Sequence, residues 1–172
     1  MKITRVMLLA LGLVAIGAVT TLHAYVYEPM AAVEGMDTKY EGTFALSTSM
    51  HKDFTGQLSV LFQNGAFAQV MIKTDKPVMG KTEFLSSEQM LNVQEVKDVG
   101  MQLALAYKVK GAPHSWYFVV VGNSTDNGLS FTSNVYKVRA TMDEITNLVK
   151  AGVVADPANW KKVGTAALKT MQ

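Results

Sequence analysis

The chain has no cysteine among its 172 residues. That excludes a disulfide framework, a thiolate nucleophile, a Cys-bound zinc or iron–sulfur site and a lipid-modified cysteine behind a leader. Whatever folds here is held by its own core. Arginine is nearly missing too, since Arg5 and Arg139 are the only two. No run of Lys and Arg builds the concentrated positive footprint that nucleic acid requires, so no nucleic-acid partner is expected. Histidine stands at positions 23, 51 and 114 alone, without an HExxH or comparable ligand spacing. No metal and no cofactor is therefore expected. A Gly-x-Ser-x-Gly elbow does not occur either, and scattered Ser, His and Asp do not define a triad.

What the sequence does have, first of all, is one uncharged apolar run over residues 6–19, directly behind Lys2 and Arg5. A short positive region, an apolar stretch and a small residue at Ala24 are the layout of a secretory signal. The 14-residue run falls short of the ~20 residues a spanning helix needs, which favours cleavage after Ala24. Against cleavage stand the bulky Leu22 and the apolar Tyr25, Val26 and Tyr27 that follow. The alternative is an uncleaved anchor over residues 6–27, rising about 33 Å at ~1.5 Å per residue. Either way the rest of the chain is expected outside the cytoplasm, periplasmic or otherwise extracytoplasmic, with membrane contact only through the N-terminal segment if it is kept. Removing the leader takes Lys2 and Arg5 from the sixteen basic residues, leaving fourteen against fourteen acidic ones. The remaining domain is neutral, so the pI of about 8.7 largely reflects the leader.

Residues 25–39 show no clear period and read as a lead-in or tether, and residues 40–172 as a single domain. Asn64-Gly65 accepts the positive φ angles of a type I′ turn between strands at 57–63 and 66–74. A two-residue loop pairs Phe62 with Phe67, Val60 with Gln69 and Leu58 with Met71. Residues 101–110 alternate strictly, with Met101, Leu103, Leu105, Tyr107 and Val109 on an apolar face and Gln102, Ala104, Ala106 and Lys108 on a face that can meet water. A turn at 111–114 sets Tyr107 opposite Phe118 and Leu105 opposite Val120. Further strands are expected at 129–138, 41–48, 81–86 and 90–96, and the loop at 122–128 is rich in residues that hydrogen-bond their own backbone. Thr141-Met142-Asp143-Glu144 has capping-box spacing, predicting a helix that ends at Gly152. Asp156-Pro157 followed by Trp160, Val163, Ala167 and Met171 predicts a second helix. The fold expected is α+β: a curved antiparallel meander or partial barrel of about seven strands, followed by two C-terminal helices.

Candidates for chemistry each have an ordinary alternative. His51 and His114 fall in turn-like segments, and Asp143-Glu144 suits the first turn of a helix, where negative charge complements the dipole. Nine methionines beyond the leader never form an M-x-M or M-x-x-M cluster, which favours core filling over copper carriage. Arg139 and Lys137 end a strand, as an anion site or as surface cations. Tyr107, Trp116 and Phe118 form either core or the lining of a ligand cavity. A meander followed by a helix resembles the lipocalin and calycin layout, and Gly42-Thr43-Phe44 resembles a G-x-W strand motif with Phe in place of Trp. That resemblance implies a cup for a small apolar ligand. The expected function is an exported, non-enzymatic envelope protein whose domain binds a protein partner or supports an assembly. Two alternatives stand beside it: a carrier of a small apolar ligand, and a hydrolase without a recognisable motif.

Overall fold

Eight strands run up and down in sequence order and close on themselves. They are β1 (Asp37–Leu46), β2 (Phe54–Gln63), β3 (Ala66–Val78), β4 (Lys81–Val96), β5 (Gly100–Val109), β6 (Trp116–Asn123), β7 (Ser130–Arg139) and β8 (Lys161–Thr170), and among the described residues one helix, α1 (Met142–Ala151), lies between β7 and β8. The computed structural model describes residues 35–48, 52–111 and 116–172, and the leader expected from sequence, with the choice between cleavage at Ala24 and an anchor, lies outside them. All neighbouring strands are antiparallel, and β1 pairs with β8 from Tyr40↔Thr170 to Leu46↔Gly164. The architecture is thus a closed eight-stranded barrel rather than a partial one. β1 begins at Asp37, so residues 37–39 belong to the sheet, and the two short strands expected at 81–86 and 90–96 are one strand, β4.

The β2–β3 hairpin turns at Asn64 and Gly65 with φ of 50° and 78°, as the type I′ reading requires. Gln63↔Ala66 and Phe62↔Phe67 also hold, but a bulge follows, and Val60 faces Val70 while Leu58 faces Ile72. The pairings of Val60 with Gln69 and Leu58 with Met71 are therefore wrong. One extra residue in β3 shifts the phase so that apolar side chains of both strands point inward together, which strict two-residue counting cannot anticipate. Between β5 and β6, Leu105↔Val120 and Tyr107↔Phe118 are as expected.

The capping box forms as read: the Thr141 hydroxyl accepts from the Glu144 N–H, and the Glu144 carboxylate accepts from the Thr141 N–H at 2.7 Å. The expected second helix does not form. Residues 161–170 are β8, with Val163, Ala166 and Leu168 buried inside the barrel. Asp156 is not an N-cap; its carboxylate accepts from the Tyr136 hydroxyl. The physical reason is the pair of strand edges that β1 and β7 would otherwise leave open. A strand inserted between them satisfies both rows of N–H and C=O groups, where a helix would satisfy neither. Two glycines permit the approach: a Cβ on Gly42 would sit 1.7 Å from the Ala167 carbonyl oxygen, and one on Gly164 would sit 2.0 Å from that of Ala45.

Two cores result. Inside the barrel, Leu58, Val60, Val70, Leu103, Leu105, Val120, Phe131, Val135 and Leu168 form one buried cluster. Outside it, Ala104, Ala106, Tyr117, Val119, Tyr136 and Val138 pack under Ile145 and Val149 of α1 and under Trp160. The face of β5 expected to meet water is consequently buried. Gln102 on that face is clamped: its side-chain amide donates to the Val153 carbonyl at 2.8 Å and accepts the Val153 N–H at 2.9 Å. This two-way bond imitates a strand rung and pins the segment that follows α1.

Candidate functional site: an interrupted seam in the barrel wall

β3 and β4 are the longest strands, with 13 and 16 residues, yet they share only four registered pairs: Met71↔Leu85, Ile72↔Phe84, Lys73↔Glu83 and Val78↔Lys81. The ladder stops at Ser86. Where the next backbone rung would form, the Val70 N–H donates to the Ser86 hydroxyl at 2.9 Å, and the Ser86 carbonyl takes the Gln69 side-chain amide at 3.0 Å. Gln89 then reaches across to donate to the Ala68 carbonyl at 2.8 Å and accepts from the Ser86 hydroxyl. Side chains stitch the wall where backbone no longer does. The cause is a bulge between Ser86 and Glu88 in the pairing of β4 with β5, which bends β4 along β5 and away from β3.

Beyond the stitch, the phase of the ladder tells which way the backbone of β4 faces. Met101 pairs towards β6, its carbonyl accepting from Ser124, and the Lys110 N–H donates to Leu85. Even-numbered residues of β5 therefore face β4 and odd-numbered ones face β6. With Met90↔Ala106, Asn92↔Ala104 and Gln94↔Gln102 in register, it is Met90, Asn92 and Gln94 that bond to β5. The N–H and C=O groups of Gln89, Leu91, Val93 and Glu95 point the other way, towards the seam. Among the described residues no strand pairs with them. The floor of the seam is apolar: Phe67 and Leu91 are half-buried against the interior cluster, and Val93 is 36% exposed. The outer side is held by α1, because Asn92 and Gln94 both donate to the Val149 carbonyl at 3.1 Å.

The residues singled out from sequence have other places. Tyr107 is buried and stacks on Phe118 at 5.6 Å, with burial holding its hydroxyl pKa above the ordinary value. Trp116 is half-buried under the Lys137 ammonium at 4.7 Å and lies across from Arg139. His51 and His114 lie outside the described residues. Glu144 serves the helix cap, which lowers its pKa through the Thr141 backbone and side-chain bonds. Met90, Met101 and Met142 pack against the two cores. Among the described residues no group of three His, Asp or Glu side chains is placed to hold a metal ion.

Two polar clusters escaped the sequence reading. The Tyr117 hydroxyl donates to Glu88, whose carboxylate also pairs with Lys108 at 3.4 Å. Burial, followed by this bond, pushes the Tyr117 pKa up to about 12, and the same bond lowers that of Glu88. This arrangement ties β4 to β6 across β5. In the loop before β7, Asp126 accepts from Ser130 and Ser124, which hold its pKa down to about 2. A shallow open groove of about 350 Å³ crosses the outside of β7, β8 and β1 between Glu41, Thr43, Thr132 and Lys169.

Fold and site together define an antiparallel eight-stranded barrel with one interrupted wall. Comparison with protein-family models, curated proteins and solved structures finds no match to this chain. Among the described residues no helix is long and apolar enough to cross a membrane.

Proposed function

We propose that this chain is an exported, non-enzymatic envelope protein whose barrel binds a protein partner or supports an assembly. The filled interior carries this reading. Val60, Val70, Leu103, Leu105 and Val120 have no surface open even to water. An eight-stranded barrel is just wide enough to be filled by side chains or to hold one small ligand, and here side chains occupy the middle. Interaction then falls to the outer surface and the seam. The leader supports an address outside the cytoplasm, and the neutral charge of the domain beyond it supports a partner recognised by shape and hydrogen bonds rather than by long-range attraction.

The carrier reading keeps one observation in its favour. Phe67 and Leu91 pack against the interior cluster without being fully buried, and Val93 beside them is exposed, so a small apolar molecule would lodge at the seam rather than against the buried Tyr107. Native mass spectrometry of the protein purified from its own membrane fraction separates the two. The expected result is a mass raised by a protein subunit. A mass raised by a lipid would replace this reading with the carrier, and a bare monomer would overturn both.

A further inference from the structure

We propose that the seam between β3 and β4 receives an extended segment of a protein partner, added as a strand to the edge of β4 over residues 89–95. The inference rests on the partner-binding reading and gives that partner a chemistry.

The edge itself selects the occupant. Gln89, Leu91, Val93 and Glu95 present a row of donors and acceptors at strand spacing, and the matching row belongs to another extended backbone. An acyl chain or a sterol would leave that row unanswered, and a helix has its own backbone groups already bonded. The edge of β3 is not equivalent. The Val70 N–H and the Ala68 carbonyl are already taken by Ser86 and Gln89, so the β4 side is the one with hydrogen bonds to offer. Ser86 and Gln89 also close the upper end of the seam, which limits the added strand to the part below Gln89.

Side-chain preference follows from the floor. Alternate residues of an added strand point into the barrel beside Leu91 and Val93 and across from Phe67, and the residues between them point outward. The segment recognised is therefore extended, apolar at every second position and polar at the others. Natural barrels and sheets blunt a free edge with proline, inward charge or a covering loop. Residues 89–95 contain no proline and no lysine, and their one charged side chain is Glu95.

The test uses the full chain as its host processes it. The probe is a lysine-capped decapeptide of alternating valine and threonine, compared with the same peptide N-methylated at every second residue. Binding is followed by amide hydrogen exchange and by fluorescence anisotropy. The expected result is saturable binding of the plain peptide with exchange at Leu91 and Val93 slowed by ~10-fold or more, and no such effect from the methylated peptide. Val93→Pro removes one edge donor without touching the β5 ladder, and Val93→Lys puts a charge on the floor. Each is expected to weaken the plain peptide by ~10-fold or more. Equal binding of the two peptides, unchanged binding to both variants, or no binding would overturn the proposal. So would competition for the seam by a dansyl-labelled fatty acid with no peptide binding. If a subunit still accompanies Val93→Lys in native mass spectra, the strand-addition proposal fails while the partner-binding reading stands. If none accompanies the natural chain, the partner-binding reading fails first.

Discussion

The wall from β5 round to β1 and the wall between β3 and β4 are built from the same kind of strand, yet they are closed by different groups. From β5 to β8 and across to β1, backbone pairs continue along the strands. Between β3 and β4 the backbone pairs stop at Leu85, and Ser86, Gln69 and Gln89 take over. The paired wall carries Leu103, Leu105 and Val120, which have no exposed surface, whereas the seam below the stitch borders half-buried Leu91 and exposed Val93. Continuous pairing leaves the backbone of that wall no hydrogen bonds to offer along its paired length. A stitched wall satisfies part of its backbone with movable side chains and leaves the rest available.

The largest expected effect lies in the paired wall. Gly42→Val would drive a Cβ to 1.7 Å from the Ala167 carbonyl oxygen, and only movement of the β1 or β8 backbone relieves that. A loss above about 4 kcal/mol, or no folded protein, is expected in urea denaturation. An unchanged midpoint would show that this wall yields as easily as the seam.

Paired core substitutions measure the contrast more finely. Leu103→Ala empties a site with no exposed surface and should cost about 3 kcal/mol. Leu91→Ala removes a half-buried side chain and should cost about 1 kcal/mol. Equal costs would mean that the seam is packed as tightly as the interior.

Gln102→Ala leaves both backbone groups of Val153 without their partner, for an expected loss of about 2 kcal/mol. Faster exchange of the Val153 amide would locate that loss. Ser86→Ala is the corresponding change at the seam and frees only the Val70 N–H and one Gln89 bond. It should cost about 1 kcal/mol and leave exchange in β7 unaltered.

The smallest effect is alkaline. Tyr117 and Tyr136 have pKa values pushed up to about 12, by burial first and by their bonds to Glu88 and Asp156 second. The unfolded chain titrates near pH 10, so it loses these protons before the folded protein does. The stability they contribute is complete below pH 10 and falls as pH rises from about 10 to about 12. Phenolate absorbance in the near ultraviolet should show Tyr117 and Tyr136 titrating late, alongside Tyr40 and Tyr107, which burial alone holds above their ordinary value, and a single transition near pH 10 would remove both bonds from the account.

The features legible in the chain were those made by neighbours in sequence. Asn64-Gly65 turns because those two residues accept positive φ, Thr141 and Glu144 cap a helix three residues apart, and residues 101–110 alternate because one strand has two faces. The rest depended on partners that no local window contains. Residues 160–171 carry apolar side chains compatible with a helical stripe, while Val163, Ala166 and Leu168 also fit a strand. Only the open edges of β1 and β7 decide for the strand, since pairing with both satisfies backbone groups that a helix would strand unbonded. The water-facing reading of Gln102 and Ala106 failed for the same reason, because α1 and the segment behind it cover that face.

The sequence by itself determined a cysteine-free chain, an apolar run behind Lys2 and Arg5 with balanced charge after it, most of the strands and one capped helix, because composition, alternation and capping are local. Tertiary structure alone decided that the sheet closes, that the last segment is its eighth strand, and that the wall parts below Ser86. Closure and seam are both matters of which backbone meets which, and a bulge of one residue is enough to turn a row of hydrogen bonds from a neighbour towards an open edge.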